Sequence, residues 1–242
     1  MKKRTRIILS VCLAALLVFG VGGYAYVSDY YHADETALEA MAYQTGSVQT
    51  EQDGDVIWFV PENPVAGLIF YPGGKVENTA YAPLLRACAE NGILCALVRM
   101  PGNLAVLDAN AADGLQQEHP EITTWYIAGH SLGGAMAAGY AAAHEKDYDG
   151  LILLAAYSTK DLTGTPLRVL SVYGSEDGVM NRESYEKNRS NLPSDTTEVV
   201  LDGGCHAQFG SYGAQDGDGV PTITGEEQVR QTAEAITAFI GQ

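Results

Sequence analysis

From Val56 to the carboxyl end, short runs of consecutive apolar residues alternate with segments whose apolar positions recur every three or four residues. Runs of that length bounded by Gly and Pro read as buried strands, and the spaced segments read as helices. The pattern predicts strands at 56–60, 67–71, 93–98, 124–128, 151–155, 167–173 and 197–201, with the first stopped by Pro61 and Pro64. It predicts helices at 81–90, 104–118, from Ser131 to about His144, at 179–191 and at 226–240. In the last of these, Val229, Ala233, Ile236, Phe239 and Ile240 fall on one face. Strand and helix in alternation imply an α/β class, with a largely parallel sheet covered on both faces. Only residues 156–166 separate two of the strands, too short a stretch for a large lid, so a minimal cap and an open site are expected.

Ahead of this region, residues 7–28 are an uncharged run of 22, which as a helix at ~1.5 Å per residue covers roughly 33 Å, about the hydrocarbon thickness of a bilayer. Lys2, Lys3, Arg4 and Arg6 precede it, and Asp29, Asp34 and Glu35 follow. That asymmetry predicts a cytoplasmic amino end and a domain outside the membrane. The rival is a cleaved secretory signal with its apolar stretch at 7–21, because Gly23-Tyr24-Ala25 meets the small-x-small requirement for cleavage near Ala25. Residues 34–44 read as a short amphipathic helix with Asp34 as N-cap. The expected organisation is therefore 1–28 as anchor or signal peptide, 29–47 as a membrane-proximal linker with that helix, and 48–242 as a single domain.

Charge narrows the partners. From Ile7 onward there are 10 Lys and Arg against 30 Asp and Glu, a formal charge of −20. Binding to a phosphate backbone rests on clustered cations, so nucleic acid is not an expected partner. Cys12, Cys88, Cys95 and Cys205 are too few for a disulfide-built scaffold. Cys88 and Cys95 could face each other from a helix end and the next strand, or be buried free thiols.

The chemistry gathers at Trp125-Tyr-Ile-Ala-Gly-His-Ser-Leu-Gly-Gly134, where an apolar run leads straight into a glycine-flanked serine. Gly129-His130-Ser131-Leu132-Gly133 satisfies G-x-S-x-G, the strained strand-to-helix turn that exposes a nucleophile. A serine hydroxyl attacks an acyl carbon at neutral pH only with a histidine base, itself oriented by a carboxylate. In the order Ser, Asp, His the chain offers Ser131, Asp177 and His206, with Glu176 as the neighbouring alternative to Asp177. His32, His119, His130 and His144 are worse placed for the base. A tetrahedral intermediate also needs preorganised N–H donors. Leu132, directly after the nucleophile, is one, and Tyr71-Pro-Gly-Gly-Lys75 stands where the second should come, with Gly74 preferred and Gly73 the alternative.

These stretches, together with Met100-Pro-Gly-Asn-Leu-Ala105, Tyr173-Gly-Ser-Glu-Asp-Gly178, His206-Ala-Gln-Phe-Gly210, Tyr212-Gly and Gln215-Asp-Gly-Asp-Gly219, resemble the α/β-hydrolase superfamily. The closer resemblance is to a bacterial family of small, often membrane-anchored α/β-hydrolases of carboxylesterase or dienelactone-hydrolase type. It implies the α/β-hydrolase fold, a Ser-Asp-His triad and an esterase-type activity without a settled substrate. It also makes Gly73, Lys75, His130, Gln208 and Tyr212 candidates for lining the site. Cys205 departs from the residue expected beside the base, and a thiol there is packing or an oxidation-sensitive neighbour. Asp216 and Asp218, with Glu227, imitate the start of a calcium loop, but Val220 and Pro221 stand where a ligand and an obligatory glycine belong. No metal or cofactor is expected. The rivals to an ester hydrolase are a thioesterase or acyltransferase using the same triad, and a non-catalytic binding module on a retained hydrolase fold.

Overall fold

The computed structural model describes residues 3–43 and 46–241, and side chains except those of residues 3–11, 14–15 and 19. Lys2 and Gln44, named above as a basic flank and a helix end, lie outside the described residues. The chain divides into a unit ending at Tyr30 and a compact unit beginning at Tyr31. The first unit contains one helix, α1 (Lys3–Ser28). Among the described residues no helix is long and apolar enough to cross a membrane.

The second unit is built on one eight-stranded sheet. Its strands are β1 (Val48–Asp53), β2 (Val56–Pro61), β3 (Ala66–Tyr71), β4 (Ile93–Val98), β5 (Trp125–His130), β6 (Gly150–Leu154), β7 (Arg168–Gly174) and β8 (Thr197–Leu201). They lie side by side in the order β1-β2-β4-β3-β5-β6-β7-β8. The β1–β2 and β2–β4 pairs are antiparallel and all the others parallel, so only one edge departs from the predicted parallel arrangement. The central strands β3 and β4 are buried along their whole length, as uninterrupted apolar runs require in a doubly covered sheet.

Side chains alternate between two cores. Phe59, Leu68, Phe70 and Cys95 point to one face, and Trp58, Ile69, Leu94 and Ala96 to the other. The first face is covered by α3 (Ala82–Glu90) and α7 (Gly225–Ile240), which pack on each other. The second is covered by α5 (Leu132–Ala143), which contributes Ala137, Ala138 and Ala141. Thr224 caps α7 by accepting the Glu227 N–H at 3.1 Å.

Four expectations are corrected. The sheet begins one strand earlier, at β1, whose Val-Gln-Thr-Glu-Gln-Asp sequence has no apolar run because the strand is an edge hairpin partner turning at Gly54 (φ 55°). The helix expected over 104–118 is two 3-10 turns, Pro101–Asn103 and Ala105–Leu107, followed by the single-turn α4 (Leu115–Glu118). Non-helical backbone at Leu104 and Asp108 and positive φ at Gly114 interrupt any longer helix. The helix at 179–191 shrinks to α6 (Arg182–Asn188) with a 3-10 turn after it.

The linker expected over 29–47 is, from Tyr31 on, part of the compact unit. Tyr31 N–H donates to the Lys75 carbonyl (2.8 Å), Glu77 N–H to the Tyr31 carbonyl (2.9 Å) and Asp34 N–H to the Ser211 carbonyl (2.9 Å). Asp34 then caps α2 (Glu35–Ala42), whose Ala37 is fully buried. Arg86 of α3 donates to the carbonyls of Ala40 and Tyr43 and to Thr50 Oγ1, joining α2 and β1 to the main body.

Candidate active site

β5 ends at His130, and the next residue, Ser131, has φ 52° and ψ −120°. For a non-glycine residue this conformation costs on the order of 1–3 kcal/mol and persists only where neighbours impose it. Ser131 N–H donates to the Leu154 carbonyl of β6 (2.9 Å), and the Ser131 carbonyl accepts from Ala135 N–H (3.1 Å). The glycines on either side are sterically required. A Cβ on Gly129 would lie 2.6 Å from backbone atoms of Gly133 and Gly134, and one on Gly133 would run into the carbonyls of Tyr71 and Pro72. The elbow is thus wedged between β6 and the loop after β3.

That loop carries the glycine pair. Gly73 N–H donates to Tyr81 Oη at 3.0 Å, and a Cβ on Gly73 would meet both Tyr81 Oη and His130 Nδ1. Gly74 lies against the elbow: a Cβ there would be 2.9 Å from Leu132 Cδ2. Leu132 is the first residue of α5, so its N–H is one of those without an acceptor inside the helix. Between the two glycines, then, Gly73 is engaged by a tyrosine and Gly74 adjoins Leu132. Lys75 follows with φ 59°, its N–H bound to the Asn103 carbonyl (2.7 Å) and its own carbonyl taken by Tyr31.

Tyr81 Oη is also 2.8 Å from His130 Nδ1. Because the phenol already accepts from Gly73, it donates to Nδ1, which assigns the His130 proton to Nε2. His130 is buried, and its Nε2 has no hydrogen-bond partner among the described residues. Burial, and secondarily the neighbouring His206, push its pKa well below the ordinary histidine value, so His130 is neutral.

Asp177 lies past the end of β7 and His206 past the end of β8. Asp177 Oδ2 is 2.9 Å from His206 Nδ1, and both side chains are almost wholly buried. The other carboxylate oxygen, Oδ1, accepts from Val179 N–H (2.9 Å) and Met180 N–H (2.8 Å), which fixes its orientation. Glu176 points to solvent, so between the two acidic neighbours it is Asp177 that meets the histidine. The His206 ring lies 4.5 Å from that of His130, the residue before Ser131. The loops after β3, β5, β7 and β8 therefore meet at the carboxyl ends of the parallel strands, where α/β sheets bind their ligands.

Of the other residues expected near the site, Gln208 is half-buried and donates to the Ile223 carbonyl at 3.3 Å, and Tyr212 is buried with its hydroxyl on Gln215 Oε1 (3.0 Å) and its ring against Tyr31. Cys205 is a free thiol that burial pushes up to about 11, a poor nucleophile. Cys88 and Cys95 are also free and buried. Among the described residues no group of three or more His, Cys, Asp or Glu side chains could hold a metal ion.

Two structurally central residues escaped the sequence reading. Tyr81 carries no motif, and Asp218 stood in a stretch shared with the family and in a failed calcium pattern, without a role in the site. Asp218 Oδ1 accepts from the N–H groups of Gly178 (3.1 Å), His206 (3.2 Å) and Gly219 (2.8 Å), and Oδ2 from that of Ala207 (2.8 Å). The density of glycine around it was the legible signal. A Cβ on Gly178 would be 2.7 Å from the Gly217 carbonyl, and one on Gly219 would collide with the Glu176 carbonyl.

With sheet order, elbow and acid–histidine pair in place, the family follows: the chain belongs to the alpha/beta hydrolase family, whose model matches residues 67–230. Among solved structures it is similar to a predicted CIB-like hydrolase from Thermoplasma acidophilum, with a TM-score of 0.59 and 16% identity over 79% of this chain and 99% of that one. It is also similar to TT1662 from Thermus thermophilus (TM-score 0.58, 16% identity, 81% and 99% covered) and to Est1E from Butyrivibrio proteoclasticus (0.57, 14%, 81% and 100%). At these identities the likeness is one of fold. No curated protein matches the chain.

Proposed function

We propose that this hydrolase cleaves carboxylic esters through an acyl-enzyme, with Ser131 as nucleophile, His206 as base and Asp177 as the residue that orients the base. The observation that carries the reading is the buried 2.9 Å Asp177–His206 pair, whose imidazole lies 4.5 Å from the ring of His130, the residue before a serine held at positive φ. Asp177 on Nδ1 leaves Nε2 as the nitrogen that takes the Ser131 proton and later delivers it to the leaving alkoxide. Attack places negative charge on the former carbonyl oxygen, and the Leu132 and Gly74 N–H groups are the donors for it. Water then repeats the sequence on the acyl-enzyme with His206 again as base. Activity falls on the acid side as that base becomes protonated.

Short or exposed acyl groups suit the site, because the chain passes from β6 to β7 with no helix between them to form a cap. The uncharged run at 7–28 behind four basic residues supports a membrane-tethered enzyme acting outside the cytoplasm, of the small anchored type that the motifs resemble. The test is a fluorophosphonate probe and a series of p-nitrophenyl esters of increasing chain length, applied to wild type and Ser131→Ala in the membrane fraction. We expect labelling and short-chain turnover in wild type and loss of both in the variant, by about 10⁴-fold or more for turnover. Full turnover by Ser131→Ala would sink the proposal, and folded wild type that is neither labelled nor active would point to a binding module. Thioesters compared with esters at matched chain length separate an esterase from a thioesterase.

A further inference from the structure

We infer that Asp218 is a positioning residue for the acid–base pair, holding the Asp177 and His206 loops in register. The inference rests on the triad reading above. Its basis is where the four N–H groups on Asp218 come from. Gly178 is the residue after Asp177, His206 is the base itself, Ala207 follows it, and Gly219 closes the Asp218 turn. One carboxylate thus bridges the two loops whose tips form the 2.9 Å pair.

The two loops are also joined by Ser175 N–H on the Leu201 carbonyl (2.9 Å), Glu176 N–H on the Gly204 carbonyl (2.8 Å) and Gly203 N–H on Ser175 Oγ (2.8 Å), and Cys205 is held through both backbone groups by Gln228. The loop residues held in this way all precede Asp177 or His206 in the chain. At and after those two residues, the loops are tied by the pair itself and by Asp218, with Gly219 in contact with the Glu176 carbonyl. A carboxylate suits the position because its two oxygens accept all four N–H groups, whereas an amide would turn an NH2 toward donors. Burial alone would raise the Asp218 carboxyl, but the N–H groups of Ala207, Gly178 and His206 outweigh it and hold it below the usual carboxylate range. Asp218 is therefore ionised in the folded protein.

The experiment is steady-state kinetics of full-length wild type and Asp218→Asn on a short-chain p-nitrophenyl ester, with the rate of fluorophosphonate labelling and the melting temperature measured in parallel. We expect kcat to fall roughly 10–100-fold, the cost of a small misplacement of a catalytic group, while KM stays within about threefold. The labelling rate should fall with kcat, because both need His206 in place over Ser131. Loosening of the fold alone would lower the fraction of active protein and leave the labelling rate of that fraction unchanged. Wild-type kcat in Asp218→Asn overturns the inference, and so does a lowered kcat with a wild-type labelling rate. If Asp218→Asn does not fold, Asp218→Glu carries the test: a lowered kcat and labelling rate with KM held supports the inference, and wild-type kcat overturns it. Absence of labelling in wild type, in contrast, is failure of the triad reading itself.

Discussion

At the scale of single residues, His130 shows how position overrides identity. The sequence makes it the variable member of G-x-S-x-G and a weak rival for the base. In the structure it is buried, accepts a hydrogen bond from the Tyr81 hydroxyl at 2.8 Å and has no partner for Nε2 among the described residues, beside the His206 ring. The linkage sign is definite. His130 is held well below the ordinary histidine value when folded, so below about pH 6.5 the unfolded chain binds a proton that the folded chain does not. Its contribution is complete above that pH and is lost as pH falls toward the folded value, at no more than about 1.4 kcal/mol per unit. His130→Gln keeps an acceptor for Tyr81 without a titrating ring. Its thermal midpoint should therefore decline less than that of wild type between pH 7.5 and pH 5, and parallel declines would refute the assignment. The proposed triad of Ser131, Asp177 and His206 could be read from the chain because such chemistry fixes both type and order along it. Tyr81 and Asp218 were not, because their roles are hydrogen bonds to backbone of distant segments, which leave no spacing to read.

Among the elements, the segments read correctly were those whose burial is uniform. β3, β4 and β5 are buried on both faces, so an unbroken apolar run identifies them. β1 is polar because only one side of it pairs, and nothing in its composition marks it as a strand. Residues 34–42 were read correctly as a helix but misplaced, since an amphipathic stripe says that a face is covered without saying by what. Their anchor is the strap Tyr31–Asp34, which binds both the glycine loop at Lys75 and Glu77 and the histidine loop at Ser211. Tyr31 Oη also accepts from Asp216 N–H at 3.2 Å, and Ala33 N–H donates to Glu77 Oε2. A deletion of residues 1–30, the whole of the first unit, is the reference. Extending the deletion through Asp34 removes several hydrogen bonds worth about 1 kcal/mol each. It should lower the melting temperature by roughly 5–10 °C and reduce kcat, although every proposed catalytic group is still present. Calorimetry and steady-state rates on the two truncations decide the matter, and equal behaviour would mean that the strap is passive.

For the whole molecule, the alternation of strand and helix was enough to give a parallel sheet but not its antiparallel edge, which depends on how a hairpin is received by β4. The formal charge of −16 makes the surface acidic, and composition could say no more than that. The cysteines are where whole-molecule behaviour becomes measurable. All four are free: Cys12 is exposed, Cys88 and Cys95 lie in the same core beneath α3, and Cys205 is buried directly before His206. The protein therefore carries its own clock for opening. In a pulse of maleimide, denatured protein, in which every thiol reacts at once, serves as the standard. Cys205 should react on the timescale of local opening of the histidine loop, and Cys88 and Cys95 only when the sheet comes apart. If Cys205 were labelled together with the core pair, the loop that bears the base would be as rigid as the sheet below it, and substrate would have to reach His206 without any yielding of its surroundings.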